Sequence, residues 1–148
     1  MLLKWEIYSW DNLTTENLYK ILKLRAEVFV VEQNCAYLDP DDNDRKAKHL
    51  LLFTKNKLIG YSRIFIHLSQ SNIGRVVVSK THRNQNIGKK LMEKSISLIP
   101  KNHSIHISAQ EHLRIFYEKI NFNQSGEGYL EDGIPHIPMV LSPKKPTD

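Results

Sequence analysis

Between Val76 and Ile99 the sequence reads VVVSKTHRNQNIGKKLMEKSISLI. Val76, Val77 and Val78 form an apolar, β-branched run that passes into a short basic loop, and a helical pattern begins at once. Arg83, Lys89 and Lys90 surround the expected helix start. The first turn of a helix leaves backbone N–H groups without intrahelical partners, and the aligned peptide dipoles add positive potential there. A basic loop at such a junction has the chemistry of an anion site. Its candidate residues are Arg83, Asn84, Gln85, Asn86, Ile87, Gly88 and Lys89. Gly88 is the one glycine of the loop, so it is not a generous phosphate cradle. The competing reading is a basic, solvated helix start.

Other chemistry-bearing residues point elsewhere or nowhere. Asp39, Asp41 and Asn43 have the spacing of a calcium loop, but Asp44 stands where glycine is needed and Leu50 where the closing glutamate belongs. The stretch from Glu32 to Lys48 reads instead as a solvated acidic lid whose charge would attract a cationic amine. The seven histidines and Cys35 show no metal-ligand spacing, so no metal is expected. His49, His106 and His112 read as packing or surface residues. Cys35 has no identifiable paired base, which argues against a nucleophile. As the single cysteine it cannot form an internal disulfide, which fits a reducing compartment.

A chain of 148 residues with 41% hydrophobic and 25% charged residues suits one domain with a real core. The expected domain is 1–142, with a disordered tail at 143–148. The net charge of +5 favours anionic partners. No apolar run approaches the roughly 20 residues of a membrane span, and Lys4 and Glu6 interrupt any leader-like pattern. A cytoplasmic protein without a membrane partner is expected. A nucleic-acid partner is not expected, because basic strands interleaved with stacking aromatics are missing.

The elements that must position the junction follow from periodicity. KWEIYSW alternates and reads as a first strand. Thr14 is a plausible N-cap with Glu16 in the first turn. Leu18, Ile21, Leu22, Arg25, Val28 and Phe29 then recur at helical spacing. HLLLFT and LIGYSRIFI flank KNK as a strand–turn–strand unit. IGRVVVS is a further strand. The helix after it carries Ile87, Leu91, Ser95 and Leu98 on one side, and Pro100 stops it. SIHISA is a short strand, QEHLRIFYEKI a helix with Leu113, Phe116, Tyr117 and Ile120 on one face. NF opens another strand, and HIPMVL closes the sheet. The expected fold is α+β: a mixed, mostly antiparallel sheet with a parallel strand–helix–strand unit at its centre, flanked by helices.

This order resembles the GNAT superfamily of acyl-CoA-dependent N-acyltransferases over roughly Leu18 to Leu141. The family's pyrophosphate loop, Arg/Gln-x-x-Gly-x-Gly/Ala, appears as Arg83 to Gly88 with Asn86 in place of the first glycine. Asparagine tolerates a left-handed backbone well, so the turn can survive. A second family motif, Asn followed seven residues on by Tyr and closed by Gly-Phe, appears as Gln110, Tyr117 and Asn121-Phe122. LRAEVFVVEQN, HLLLF, IGRVVVS, AQEHLRIFY and EDGIPHIPM together resemble the ElaA-like group.

The resemblance implies a mechanism. Acetyl-CoA, the cosubstrate, lies between two parallel strands that splay near Arg75–Ser79 and Ile105–Ala109. Its pantetheine pairs with Val76 and Val78, with Val77 between them, and its pyrophosphate rests on residues Arg83 to Lys89. Gln110 and Tyr117 border the cofactor. A small-molecule or peptide amine attacks the thioester directly, and Tyr117 protonates the departing thiolate. The competing reading of Tyr117 is a core aromatic. Arg25, Glu32, Arg75 and His136 are the residues expected on the acceptor side. His136 is the candidate base, because histidines titrate near neutrality. In addition, GIPHI resembles the base-bearing segment of glyphosate N-acetyltransferase-type members. A structural histidine, or a carboxylate such as Glu32, Asp39, Glu131 or Asp132, is the alternative. A homodimer is a family-level expectation. The rival function is a non-catalytic protein of the same fold that holds CoA as a regulatory ligand.

Overall fold

The structure is a computed structural model that describes residues 1–144. Strand β1 (Lys4–Ser9) leads to helix α1 (Thr15–Arg25), which continues as a π-helical turn over Ala26–Glu32. Thr14 caps α1 as expected, its hydroxyl accepting the Asn17 N–H at 3.1 Å. The helical pattern read through Phe29 continues to Glu32, but from Ala26 with the looser i to i+5 bonding that recurs at functional sites.

Strands β2 (Lys48–Thr54) and β3 (Lys57–Ile66) form the expected hairpin. Lys55 and Asn56 both have positive φ, which suits the right-handed twist of a two-residue turn. Strand β4 (Gln70–Val78), helix α2 (Ile87–Ser97) and strand β5 (Ser104–Gln110) form the crossover unit. Helix α3 is short, Arg114–Glu118, because the first residues of its pattern form a 3-10 turn at Glu111–Leu113. Strands β6 (Asn123–Gln124), β7 (Tyr129–Glu131) and β8 (Ile134–Leu141) complete the sheet. The β7–β8 hairpin was not anticipated. Its signal was present in Asp132-Gly133, which adopt the paired positive φ values of 51° and 78°.

The sheet order is β1-β2-β3-β4-β5-β8-β6, with β7 pairing β8. Every neighbour pair is antiparallel except β4–β5. Helix α2 covers one face with Leu91 and Met92, over Leu50, Ile64, Ile105, Ile107 and Met139. Helix α1 covers the other with Ile21, Leu24 and Val28, over Leu51, Phe53 and Tyr61. No helix among the described residues is long and apolar enough to cross a membrane. Of the expected tail, residues 145–148 lie outside the described residues, while the Lys144 N–H donates to the Lys101 carbonyl at 3.1 Å.

The acidic stretch is not a solvated lid. Asp39 and Asp44 are buried and face three arginines from three different elements. Arg25 of α1 donates to Asp39 at 2.6 Å and to Asp44 at 2.7 Å. Arg63 of β3 bridges Asp41 and Asp44 at 2.6 and 2.9 Å. Arg75 of β4 reaches the Asp39 carbonyl at 3.0 Å and Asp41 at 3.3 Å. Its Nε sits 2.9 Å from Asp39 Oδ1 with the N–H off the line, an ion pair rather than a hydrogen bond. His49 closes the cluster, 2.8 Å from the Asp44 carbonyl and 2.6 Å from the Tyr61 hydroxyl. Burial holds its pKa below the ordinary histidine value. Three carboxylates and three guanidiniums cancel, which is how so many charges tolerate the interior. A single sequence shows the acids in one run but not the scattered bases that fold onto them.

Candidate active site

Strand β4 carries the feature that shapes the site. Tyr61 pairs with Val77 and Arg63 with Gly74, so Arg75 and Val76 together oppose Ser62. This is a β-bulge: one extra residue bends the strand and increases its twist. Arg75 supplies it with φ of 50°, left-handed backbone at a residue that is not glycine. The Arg75 side chain is fastened to Asp39 and Asp41, which holds the bulge in place. The parallel ladder to β5 exists only at Gln70–Ser104, Ser71–Ile105 and Asn72–His106. Beyond those pairs, Val76–Val78 and Ile107–Gln110 diverge, as the expected splay requires.

At the wide end stands the β4–α2 loop. Asn84 and Asn86 have φ of 60° and 63°, so asparagine does take the left-handed position expected of it. Asn121 does the same with φ of 76°. No side chain caps α2, and its first bonded N–H is that of Lys90, which donates to the Asn86 carbonyl at 3.1 Å. The N–H groups of Ile87, Gly88 and Lys89 thus have no acceptor among the described residues. A Cβ on Gly88 would lie 3.6 Å from the Phe116 ring and 3.9 Å from Val78. Arg83 does not point free: its guanidinium grips Glu32 with both nitrogens, one bond measuring 2.8 Å.

Tyr117 is 7% exposed and packs edge-on against Phe116 and Phe122. Its ring belongs to the core on the α2 face, so the core reading holds for the ring. Its hydroxyl makes no hydrogen bond among the described residues, and burial pushes its pKa up to about 12. A phenol so placed stays protonated at neutral pH and can serve as an acid but not as a base.

His136 stands on the opposite face. Ile137 and Met139 of β8 point into the α2-side core, and strand alternation turns His136 the other way. Its Nδ1 lies 2.7 Å from the Ile134 carbonyl, which makes Nδ1 the donor and leaves Nε2 as the basic nitrogen. Nε2 faces Glu131 at 3.3 Å, and the ring stacks on Tyr129. Gln110 pairs with His136 in the β5–β8 register and so shares its face. It does not reach toward the α2 side: its amide donates to Gln33 at 3.1 Å.

Residues 32–35 therefore bridge the wide end of the splay. Glu32 holds Arg83, Gln33 holds Gln110, and the Cys35 thiol lies 3.4 Å from the Asp132 carbonyl. Gln33 had no signal of its own, since its role depends on the π-helical turn that delivers it. Two acceptor-side expectations need correction. Arg25 is 0% exposed with its donors bonded to Asp39 and Asp44, so no substrate can reach it. Arg75 is committed to the same cluster and shapes β4 from within. Asp39, named as an alternative base, is buried there too. Glu32 is a poor base: the hydrogen bond from Arg83, against a smaller opposing effect of burial, lowers its pKa. Among the described residues no group of histidine, cysteine or acidic side chains has metal-ligand geometry.

The sequence profile of the acetyltransferase (GNAT) domain matches residues 19–143. A UPF0039 protein of Schizosaccharomyces pombe is 40% identical over 142 residues, spanning 91% of this chain and 95% of its own. Protein ElaA of Escherichia coli is 37% identical over 147 residues, spanning 94% and 96%. The crystal structure of Escherichia coli ElaA superposes with a TM-score of 0.89 at 36% identity, over 95% of this chain and 100% of that one. An acyl-CoA N-acyltransferase from Pseudomonas aeruginosa does so with a TM-score of 0.89 at 37% identity, over the same shares. An aminoglycoside 6'-N-acetyltransferase solved with coenzyme A shares the fold at 14% identity and a TM-score of 0.68. By the profile match and by these identities and superpositions, the chain belongs to the GNAT acetyltransferase family and to its ElaA-like group.

Proposed function

We propose that the protein is an N-acetyltransferase that moves an acetyl group from acetyl-CoA directly to a primary amine, in the cytoplasm. The observation that carries this reading is the junction of the splayed β4–β5 pair with the uncapped start of α2. The splay leaves the β5-facing edge of Val76–Val78 without a strand partner. Unpartnered N–H groups at Ile87, Gly88 and Lys89 offer donors for the pyrophosphate. The relative solved with coenzyme A lends the ligand class.

The two candidate catalytic side chains stand on opposite faces of the sheet, and the reading gives each its own proton transfer. His136 Nε2, on the α1 face, takes the proton that an acceptor ammonium must lose before its nitrogen has a lone pair. The amine attacks the thioester carbon, and a backbone N–H of β4 stabilises the developing oxyanion. The C–S bond then breaks, Tyr117 on the α2 face gives its proton to the thiolate, and the second proton of the acylated nitrogen passes through solvent to restore the Tyr117 phenol. Both reactants held in one cleft supply much of the rate.

Calorimetry with acetyl-CoA tests the cofactor half. The parent protein should bind, and Gly88→Val should weaken binding at least tenfold while melting normally. Gly88→Ala separates the causes, since a Cβ fits the free protein at ordinary contact distances. Any loss in the alanine variant belongs to the ligand. Unchanged binding by a folded Gly88→Val protein sinks the assignment. Tight binding without thiol release across an amine panel would leave the CoA-holding regulatory protein as the answer.

A further inference from the structure

A cavity of about 810 Å³ opens on the α1 face, between α1, the π-helical turn, the β2–β3 turn and the residues just after β4. That is the size of a small-molecule site. Its floor is apolar: Leu24, Val28 and Leu58, all buried. Its rim is basic: Lys20, Lys23, Lys57 and Lys80. Two acids, Glu27 and Glu32, also line it, and Glu32 is held by Arg83.

The lysines have little else to do. Lys20 lies over the Phe53 ring, meets the Asn56 carbonyl at 3.5 Å and reaches Glu16 only at 3.9 Å; Lys57 meets the Thr81 hydroxyl at 3.3 Å. Lys23 and Lys80 make no ion pair among the described residues. Nor can the acidic stretch balance them, because Asp39, Asp41 and Asp44 are neutralised by their own arginines. The uncompensated charge beside the cleft is positive.

The cavity also has a direction. It includes Ser79, the residue after Val78, and Glu32, which stands at the edge of the splay. An amine that reaches past Glu32 toward the Gln33–Gln110 pair, beside which His136 stands in register, would leave the rest of its molecule on the apolar floor among the rim lysines. We infer that this cavity is the acceptor site, and that it takes an amine carrying a carboxylate or phosphate on an apolar body. This inference rests on the acetyltransferase reading and names its substrate class. It reverses the expectation of a purely cationic acceptor drawn by an acidic lid.

The test uses matched pairs of amines in an acetyl-CoA thiol-release assay: phenylalanine against phenethylamine, and tyramine phosphate against tyramine. The acid-bearing member of at least one pair should have the higher kcat/KM by tenfold or more, and which pair wins separates carboxylate from phosphate. The double variant Lys23→Gln/Lys80→Gln, which keeps most of each stem, should erase that preference and leave the plain amines unchanged. Equal or better turnover of both plain amines overturns the inference, as does an equal loss for both members of each pair. A second readout needs no turnover. N-acetylphenylalanine and tyramine phosphate are added to the parent and to the double variant, and melting is followed. At least one should raise Tm in the parent alone; no shift with either overturns the site. Failure to bind acetyl-CoA would defeat the acetyltransferase reading and leave this second readout standing.

Discussion

Residues 37–45 and residues 80–90 are both short, polar and strongly charged, and the fold treats them in opposite ways. In the first, Asp39, Asp41 and Asp44 meet Arg25, Arg63 and Arg75 at 2.6 to 3.3 Å, and little charge is left over. In the second, Lys90 has no ion pair among the described residues, and the N–H groups at the start of α2 have no acceptor. Charge that is matched inside the fold builds shape. Charge and dipole left unmatched at a cleft are available to a ligand. The two segments meet at Arg75, whose side chain belongs to the first and whose bulged backbone opens the site beside the second.

Removing one partner from the closed cluster should give the largest effect. Arg25→Met leaves Asp39 and Asp44 buried and short of a cation, a loss of about 3–5 kcal/mol that urea denaturation would measure. If stability barely falls, the cluster is not the rigid counterpart we describe. Next comes the open side. Tyr117→Phe should cut kcat about a hundredfold, worth about 2.7 kcal/mol, with Tm unchanged because the ring stays and the hydroxyl makes no internal bond. Parent-like turnover would reduce Tyr117 to packing. His136→Ala should remove the acidic limb of the kcat/KM profile; a limb that persists moves the base to Glu131.

Acid offers a smaller, graded test of the same contrast. Burial acts to raise the Asp44 pKa, but hydrogen bonds and charge from Arg25 outweigh it, so the net shift is downward. For Asp41 the hydrogen bond from Arg63 dominates and also lowers it. Carboxylates with depressed folded pKa values stabilise the protein above the ordinary aspartate value of about 4. That contribution is lost as pH falls below it toward the folded values. Melting should therefore drop steeply below about pH 4, and the drop should flatten in an Asp41→Asn variant. The smallest effect belongs to Arg83→Ala. Its ion pair with Glu32 is partly exposed, worth about 0–1 kcal/mol, and backbone groups make most of the proposed anion contact. Acetyl-CoA affinity should fall only about threefold.

Much of this was legible in the chain because it rests on local rules. Thr14 caps a helix, Val76–Val78 forms a strand, and Asn86 and Asn121 take left-handed positions that sequence alone can assign. Tyr117 was placed on the apolar face of its helix by spacing. Other features depend on distant partners and left no local trace. Nothing near Asp39 announces Arg25, Arg63 and Arg75. Nothing near Gln110 announces Gln33, because the π-helical turn at Ala26–Glu32 that carries the chain there follows an ordinary amphipathic pattern. The β7–β8 hairpin is a different case: Asp132-Gly133 is a local turn signal, but the flanking strand of three residues is too short to show an alternating pattern.

The short β4–β5 ladder makes the sheet two leaves joined along a brief seam. One leaf is β1 to β4, the other β5 to β8, and three residue pairs stitch them together. Past the seam each leaf presents a raw internal edge, the kind of unpaired strand border that proteins ordinarily shield from other chains. An extended molecule lying in the notch would bond to both borders at once and act as a substitute strand. Filling the notch would then staple the leaves. Amide exchange should slow along Val76–Val78 and Ile107–Gln110 together, from a single binding event, although these residues belong to opposite halves of the sheet.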